Sequence, residues 1–286
     1  MVITDLVCRD ILEQIAYHKP ERGGALYGPK GYPLVTHFEY DPEAETSPAS
    51  YIPSTRLIAS VPRVERTTGL QFKGIIHSHP TGYTRPSGGD ERTVASFFRL
   101  NPHFSSLALP IVQQVPREYS ADHGDSAGYM HWYRAERRSD ASSASRTGMP
   151  SLGMSFGVRT VEIVCEEHFV VPLFDHVTAI CNRLKSQDAV FDVNMKVQHL
   201  KIANAELFGL VVNPERVNEF MFFITLDYPA VAPLVLYRRL GETRTLMVPW
   251  NGIENVQQSL GAIAESLAEE WSLKVDSQDN ISVQAV

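Results

Sequence analysis

A chain of 286 residues has room for two modest domains, since a typical domain runs to about 100–200 residues. Hydrophobic residues at 43% and charged residues at 21% fit a globular protein with an ordinary core. The formal net charge of -7 leaves no basic footprint and argues against nucleic acid as the main partner.

No run approaches the roughly 18 consecutive apolar residues of a membrane helix. The opening MVITDLVCRDILEQ carries Asp5, Arg9, Asp10 and Glu13 and lacks the basic flank, apolar run and cleavage site of a signal peptide. The sequence therefore predicts a cytoplasmic chain with no membrane partner. Cys8, Cys165 and Cys181 are far apart and form no C-x-x-C pair. They read as small buried apolar groups in a reducing compartment, not as a disulfide framework or a cysteine zinc site.

Over residues 4–18, Leu6, Val7, Ile11, Leu12 and Ile15 recur at helical spacing, with Thr4 or Asp5 available as a cap and Pro20 as a stop. Gly23 and Gly24 lead into the strand-like run Ala25-Leu26-Tyr27-Gly28. Residues 29–71 are expected to hold strands whose limits the pattern does not place. Phe72 to His77 is mostly apolar and predicts a strand central in a sheet. The loop PTGYTRPSGG follows, dense in turn residues. Asp90 and Glu91, with Val94, Phe97, Phe98 and Leu100 behind them, predict a helix with an acidic first turn. Further strands are expected at Leu107–Val115 and Tyr129–Tyr133.

These elements make an α/β (α+β) sandwich over residues 1–135. Residues 136–157 are Ser-rich and read as a linker. Residues 158–274 form a second α+β domain: a helix at Leu173–Leu184, strands near 190–202, 206–212, 219–226 and 233–238, and a closing helix at Gln257–Trp271. Residues 275–286 are a polar tail.

The chemistry concentrates in one segment, His77-Ser78-His79-Pro80, continuing to Ser87 and Asp90. Two histidines one residue apart on a strand point the same way, so both imidazoles can reach one ion. The loop can fold Asp90 back to add an oxygen. Two nitrogens and a carboxylate suit Zn²⁺, and three protein ligands leave a fourth tetrahedral position open to water, as in catalytic sites. Hydrolysis of a peptide also needs a proton carrier, for which Glu21 is the candidate. Singly, each feature has a commoner explanation: an ordinary histidine pair, a Ser-x-x-Asp helix cap, a solvated glutamate. Together, five specified residues at fixed spacing favour a metal site.

The run Glu21-Arg22-Gly23-Gly24-Ala25-Leu26-Tyr27-Gly28 resembles the E-x-x-G-x-L-x-G segment of the JAB/MPN (JAMM) zinc metalloproteases of prokaryotic type. His77, His79, Ser87 and Asp90 match that family's H-x-H-x7-S-x2-D motif at every spacing. The resemblance implies a metallopeptidase in which His77, His79 and Asp90 hold zinc, Glu21 is the general acid/base, and Ser87 donates to the tetrahedral oxyanion. It also implies cleavage after the C-terminal tail of a ubiquitin-like protein, by deconjugation or precursor processing, with adenylating or conjugating enzymes as partners in the pathway. Processing of a sulfur-carrier protein is one alternative. A metal-loaded scaffold without activity is another. A DNA-associated group with a similar H-x-H-P segment is a third, against which the acidic balance argues.

In the second domain, Phe220 to Tyr228-Pro229 and on to Pro233-Leu234-Val235 resembles the strand, Y-P-x-x-x-P-x-V turn and strand of ubiquitin-conjugating-enzyme-like and RWD domains. Ala232 departs from the pattern, and no His-Pro-Asn tripeptide or cysteine follows Tyr228. The resemblance implies a domain that binds or positions rather than conjugates.

Overall fold

The computed structural model describes residues 1–117, 129–138, 161–187, 193–202, 205–214, 216, 218–239 and 241–272. Most of the expected linker and all of the expected tail lie outside the described residues. The chain forms two units: Met1–Ile3 with Val7–Val170, and Thr4–Leu6 with Val171–Val286.

The elements of the first unit, in chain order, begin with β1 (Val2–Thr4) and α1 (Asp5–Ile11), which runs on through a π-helical turn, Leu12–Ala16. β2 (Gly23–Gly28), β3 (Leu34–Val35), β4 (His37–Tyr40) and a hairpin of β5 (Glu45–Ser47) and β6 (Ser50–Ile52) follow. Next come α2 (Thr55–Thr68), β7 (Gln71–His79) and α3 (Gly88–Leu100). β8 (Ser106–Ala108), β9 (Ile111–Gln113), β10 (Met130–His131), β11 (Tyr133–Arg137), β12 (Val161–Cys165) and β13 (Phe169–Val171) complete the set.

β7 is central, as its apolar run predicts. β2 pairs antiparallel with one edge, and β8 and β9 pair parallel with the other. The strand expected over Leu107–Val115 is split in two, because Pro110 has no N–H for a ladder. β12 pairs antiparallel with β11, so the units part at Val171 and not at the Ser-rich stretch.

The sheet is covered on both faces. Leu26 and Ile76 join Ile11, Ile15 and Trp132 in one buried cluster with α1. Ala25, Tyr27 and Phe72 join Leu57, Val64, Val94 and Phe98 of α2 and α3 in the other. Side chains of this size each contribute about 1.5–3 kcal/mol when fully buried. α2 corrects the expectation of strands alone between 29 and 71. Ser54 caps it, its hydroxyl accepting from the Leu57 N–H at 3.0 Å, and Gly69 ends it in a left-handed conformation. Pro62 inside the helix disguises the helical spacing of Leu57, Val61 and Val64.

A β-bulge decides which way the histidines face. Leu26 pairs with Gly74 and Tyr27 with Phe72, leaving Lys73 as an extra residue on β7. Phe72 faces α2 and α3, and unbroken alternation would send Ile76 and Ser78 to that face. The extra residue sends Ile75, His77 and His79 there instead. The Lys73 ammonium is fixed by the carbonyls of Pro29 (2.7 Å) and Tyr32 (2.9 Å), and burial lowers its pKa to about 8.

The second unit holds α4 (Leu173–Ser186), a five-stranded antiparallel meander and α5 (Val256–Ser272). The strands are β14 (Met195–Ile202), β15 (Ala205–Val212), β16 (Phe220–Ile224), β17 (Leu234–Arg239) and β18 (Glu242–Leu246). The first four answer to the expected strands. β18 is a fifth that the pattern did not reveal, because Glu-Thr-Arg-Thr-Leu is an exposed edge with no buried face. Asp5, one of two candidate caps for its own helix, accepts from the Leu6 N–H at 3.0 Å and also from the Phe174 and Asp175 N–H groups at 3.0 and 2.7 Å, capping α4. The Tyr228-Pro229 turn is anchored by a hydrogen bond between His176 and the Tyr228 hydroxyl, and by Trp250 Nε1 donating to the Pro229 carbonyl at 2.9 Å.

Candidate metal centre

The last residues of β7 and the first turn of α3 meet at one point. His77 and His79 are buried, with their Nε2 atoms 3.0 Å apart. Asp90 approaches both: Oδ1 lies 3.1 Å from His77 Nε2 and Oδ2 lies 3.4 Å from His79 Nε2. The three residues form a group whose ligand atoms all lie within 4.8 Å of one another.

Three donors crowded this closely are the arrangement that a small cation relieves. Zinc bonds of roughly 2.0–2.1 Å in a tetrahedron set ligand atoms about 3.3 Å apart, and the observed separations bracket that value. The donor set, two imidazole nitrogens and a carboxylate, is also one that zinc takes. The residues fit the ion.

Asp90 is placed by the helix it begins. The Ser87 hydroxyl accepts from the Gly89 and Asp90 N–H groups at 3.2 and 3.3 Å, and Asp90 Oδ2 accepts from the Ser87 N–H at 2.6 Å. This reciprocal capping box fixes the carboxylate on the first turn, with its other oxygen toward His77. Burial opposes the charge on Asp90. Hydrogen bonds to His77 and His79, the charge of His77 and the Ser87 N–H outweigh that penalty, and its carboxyl sits far below the usual range. Ser87 itself keeps its hydroxyl hydrogen free of these two contacts, which it accepts.

Glu21 stands outside the His-His-Asp group but shares its field. It is buried, and burial raises its carboxyl to about 7, with His79 pulling it down and Asp90 pushing it up. The segment is stitched to β7 through the residue between the histidines. The Arg22 N–H donates to the Ser78 hydroxyl at 2.9 Å, and the Ser78 N–H donates to the Arg22 carbonyl at 2.7 Å. Ser78 thus has a positional role that the H-x-H pattern does not disclose.

Comparison with known proteins places part of the chain among relatives. Residues 8–121 match the family of prokaryotic homologs of the JAB domain. That region contains Glu21, the two histidines, Ser87 and Asp90, and its described residues form the α+β sandwich expected from the sequence. No curated protein matches the chain. Among solved structures, the solution structure of protein DSY2949 from Desulfitobacterium hafniense is 16% identical, covering 61% of this chain and 95% of its own, with a TM-score of 0.41. A JAB1/MPN domain protein from Archaeoglobus fulgidus, AF2198, is 20% identical, covering 60% of this chain and 97% of its own, with a TM-score of 0.29.

The matched region also contains a residue beside the His-His-Asp group that sequence reasoning did not single out. The Tyr51 ring lies nearly parallel to His77, at 11° and 5.6 Å between centroids. Behind His77 and Asp90 is a narrow, largely apolar slot lined by Tyr51, Pro53, Ile75, Thr93 and Phe97. Tyr51 fell in the stretch whose elements the sequence pattern did not place. No helix among the described residues is long and apolar enough to cross a membrane.

Proposed function

We propose that the first unit is a zinc-dependent isopeptidase or peptidase, with His77, His79 and Asp90 as the metal ligands. The observation that carries this reading is the pairing of a tight His-His-Asp group with a buried carboxyl, Glu21, raised to about 7. Burial raises that carboxyl in the metal-free chain, the direction that a general acid/base working near neutral pH needs. Zinc at such a site supplies Lewis acidity, polarising the attacked carbonyl and acidifying water.

The chain's own groups divide the remaining work. Glu21 takes the proton from the attacking water and hands it to the leaving amine. Ser87 presents its free hydroxyl hydrogen to the oxyanion that forms at the attacked carbonyl. One such donor is typically worth about 100- to 1000-fold in rate. The substrate class is the C-terminal tail of a ubiquitin-like protein, whose terminal glycine places no side chain against the attacked carbon. Adenylating and conjugating enzymes of the same cytoplasmic pathway are the natural partners. The second unit is assigned a conjugating-enzyme-like fold that binds or positions and does not conjugate.

The test is a cleavage assay on the zinc-loaded full chain, using a ubiquitin-like fusion and comparing Glu21→Gln with wild type. Glutamine keeps the shape and loses the proton. The expected result is retained zinc and a fall in kcat of about 100- to 10,000-fold. Full activity in the variant would remove Glu21 from the mechanism, and loss of zinc would make it a ligand.

A further inference from the structure

The β5–β6 hairpin reaches both halves of the centre. Its first strand ends at Ser47, whose carbonyl accepts from the Glu21 N–H at 3.3 Å. Its second strand carries Tyr51, which stacks on His77. Gly23 and His77 are register partners across β2 and β7, and the Tyr51 ring covers that pair. A Cβ on Gly23 would lie 2.5 Å from the Ile76 carbonyl oxygen and 2.7 Å from the tip of the ring, so the strand pairing and the aromatic plane both need the bare glycine.

The ring is held at its far end as well. Its hydroxyl donates to Asp41 Oδ2 at 3.3 Å. Asp41 is buried and accepts two bonds from Ser54: the N–H to Oδ2 at 2.7 Å and the hydroxyl to Oδ1 at 2.6 Å. The Asp41 N–H in turn donates to the Gly23 carbonyl at 3.0 Å. Tyr51 is therefore a flat plate tied at its hydroxyl and lying over Gly23, with His77 against one face.

We infer that Tyr51 is a positioning residue for the metal ligand His77, and that the hairpin aligns this ligand with Glu21 through the Tyr51 ring and the Ser47 carbonyl. An imidazole on a strand has two rotatable side-chain bonds, and the second is broad and loosely defined. A parallel aromatic face at stacking distance narrows it to the plane in which Nε2 points at His79 and Asp90. The stack thus does for His77 what outer hydrogen bonds commonly do for metal-bound histidines, where losing the support costs about 10- to 100-fold in affinity. The inference rests on the zinc assignment above.

Chelator competition on the full chain tests it, with Zn²⁺ affinity and the visible spectrum of the Co²⁺ form read for wild type, Tyr51→Phe and Tyr51→Leu. The expected result is a loss of about 10- to 100-fold in Zn²⁺ affinity for Tyr51→Leu, with an altered Co²⁺ spectrum. Tyr51→Phe keeps the plate and is expected to stay within about threefold of wild type, because stacking needs the ring and not the hydroxyl. Tyr51→Met replaces the leucine variant if that one fails to fold. Wild-type affinity in a folded, non-aromatic variant would overturn the inference while leaving the zinc assignment standing. Absence of Zn²⁺ binding in the wild type would overturn both.

Discussion

Glu21 shows how one residue's burial becomes a measurable property of the protein. In the metal-free chain its folded-state carboxyl sits near 7, above the ordinary glutamate value of about 4.5, and burial is the main cause. A raised carboxyl is stabilising while protonated, so its contribution is complete below about 4.5 and is lost as pH rises through about 7. Glu21→Gln cannot ionise and escapes that loss. Thermal unfolding of the metal-free forms at pH 5 and pH 8 should show the variant gaining on wild type at the higher pH. A difference in Tm that stays constant between the two would mean that Glu21 is not perturbed by burial. The His77, His79 and Asp90 group was legible in the sequence for physical reasons. Strand alternation brings residues 77 and 79 to one side, and the Ser87–Asp90 spacing is that of a capping box. Tyr51 was not legible, since nothing in a lone tyrosine announces which imidazole it will lie against.

At the scale of elements, the alternation argument was correct about the pair but silent about the face they share. The bulge at Lys73 decides that, and it is stabilised by contacts distant in sequence, the Pro29 and Tyr32 carbonyls. Gly74 completes it, because a Cβ there would lie 1.9 Å from the Ala108 carbonyl oxygen on β8. Gly74→Ala should therefore push β7 and β8 apart. The expected cost is about 1–3 kcal/mol, typical of overpacking, read as a lower denaturant midpoint. Zinc affinity should fall with it, because the strand that aims His77 and His79 has moved. A stable variant with unchanged zinc affinity would show that the bulge does not set the aim. Helix α2 and strand β18 were hidden for opposite reasons: Pro62 breaks an amphipathic pattern that is present, and β18 buries no side chain to make one.

For the whole molecule, the order of elements within each unit was largely readable, and the limit between the units was not. Val161–Cys165 follows a Ser-rich stretch yet pairs with β11, a long-range contact that composition does not encode. The same pairing bears on the cysteines. Cys165 lies exposed on β12, whereas Cys181 is buried in α4 with its thiol pushed up to about 12 by burial. A thiol that high is not a nucleophile near neutral pH. The chain is expected to form no thioester on Cys181 when mixed with an activated ubiquitin-like protein, as read on non-reducing gels. A thioester mapped to Cys181 would contradict the non-conjugating reading of the second unit.

The central claim concerns the metal, and elemental analysis of the purified full chain reaches it most directly. The account predicts one zinc per chain in the wild type and almost none after His77→Ala with His79→Ala, in a variant that remains folded. Equal zinc in the two proteins would contradict it.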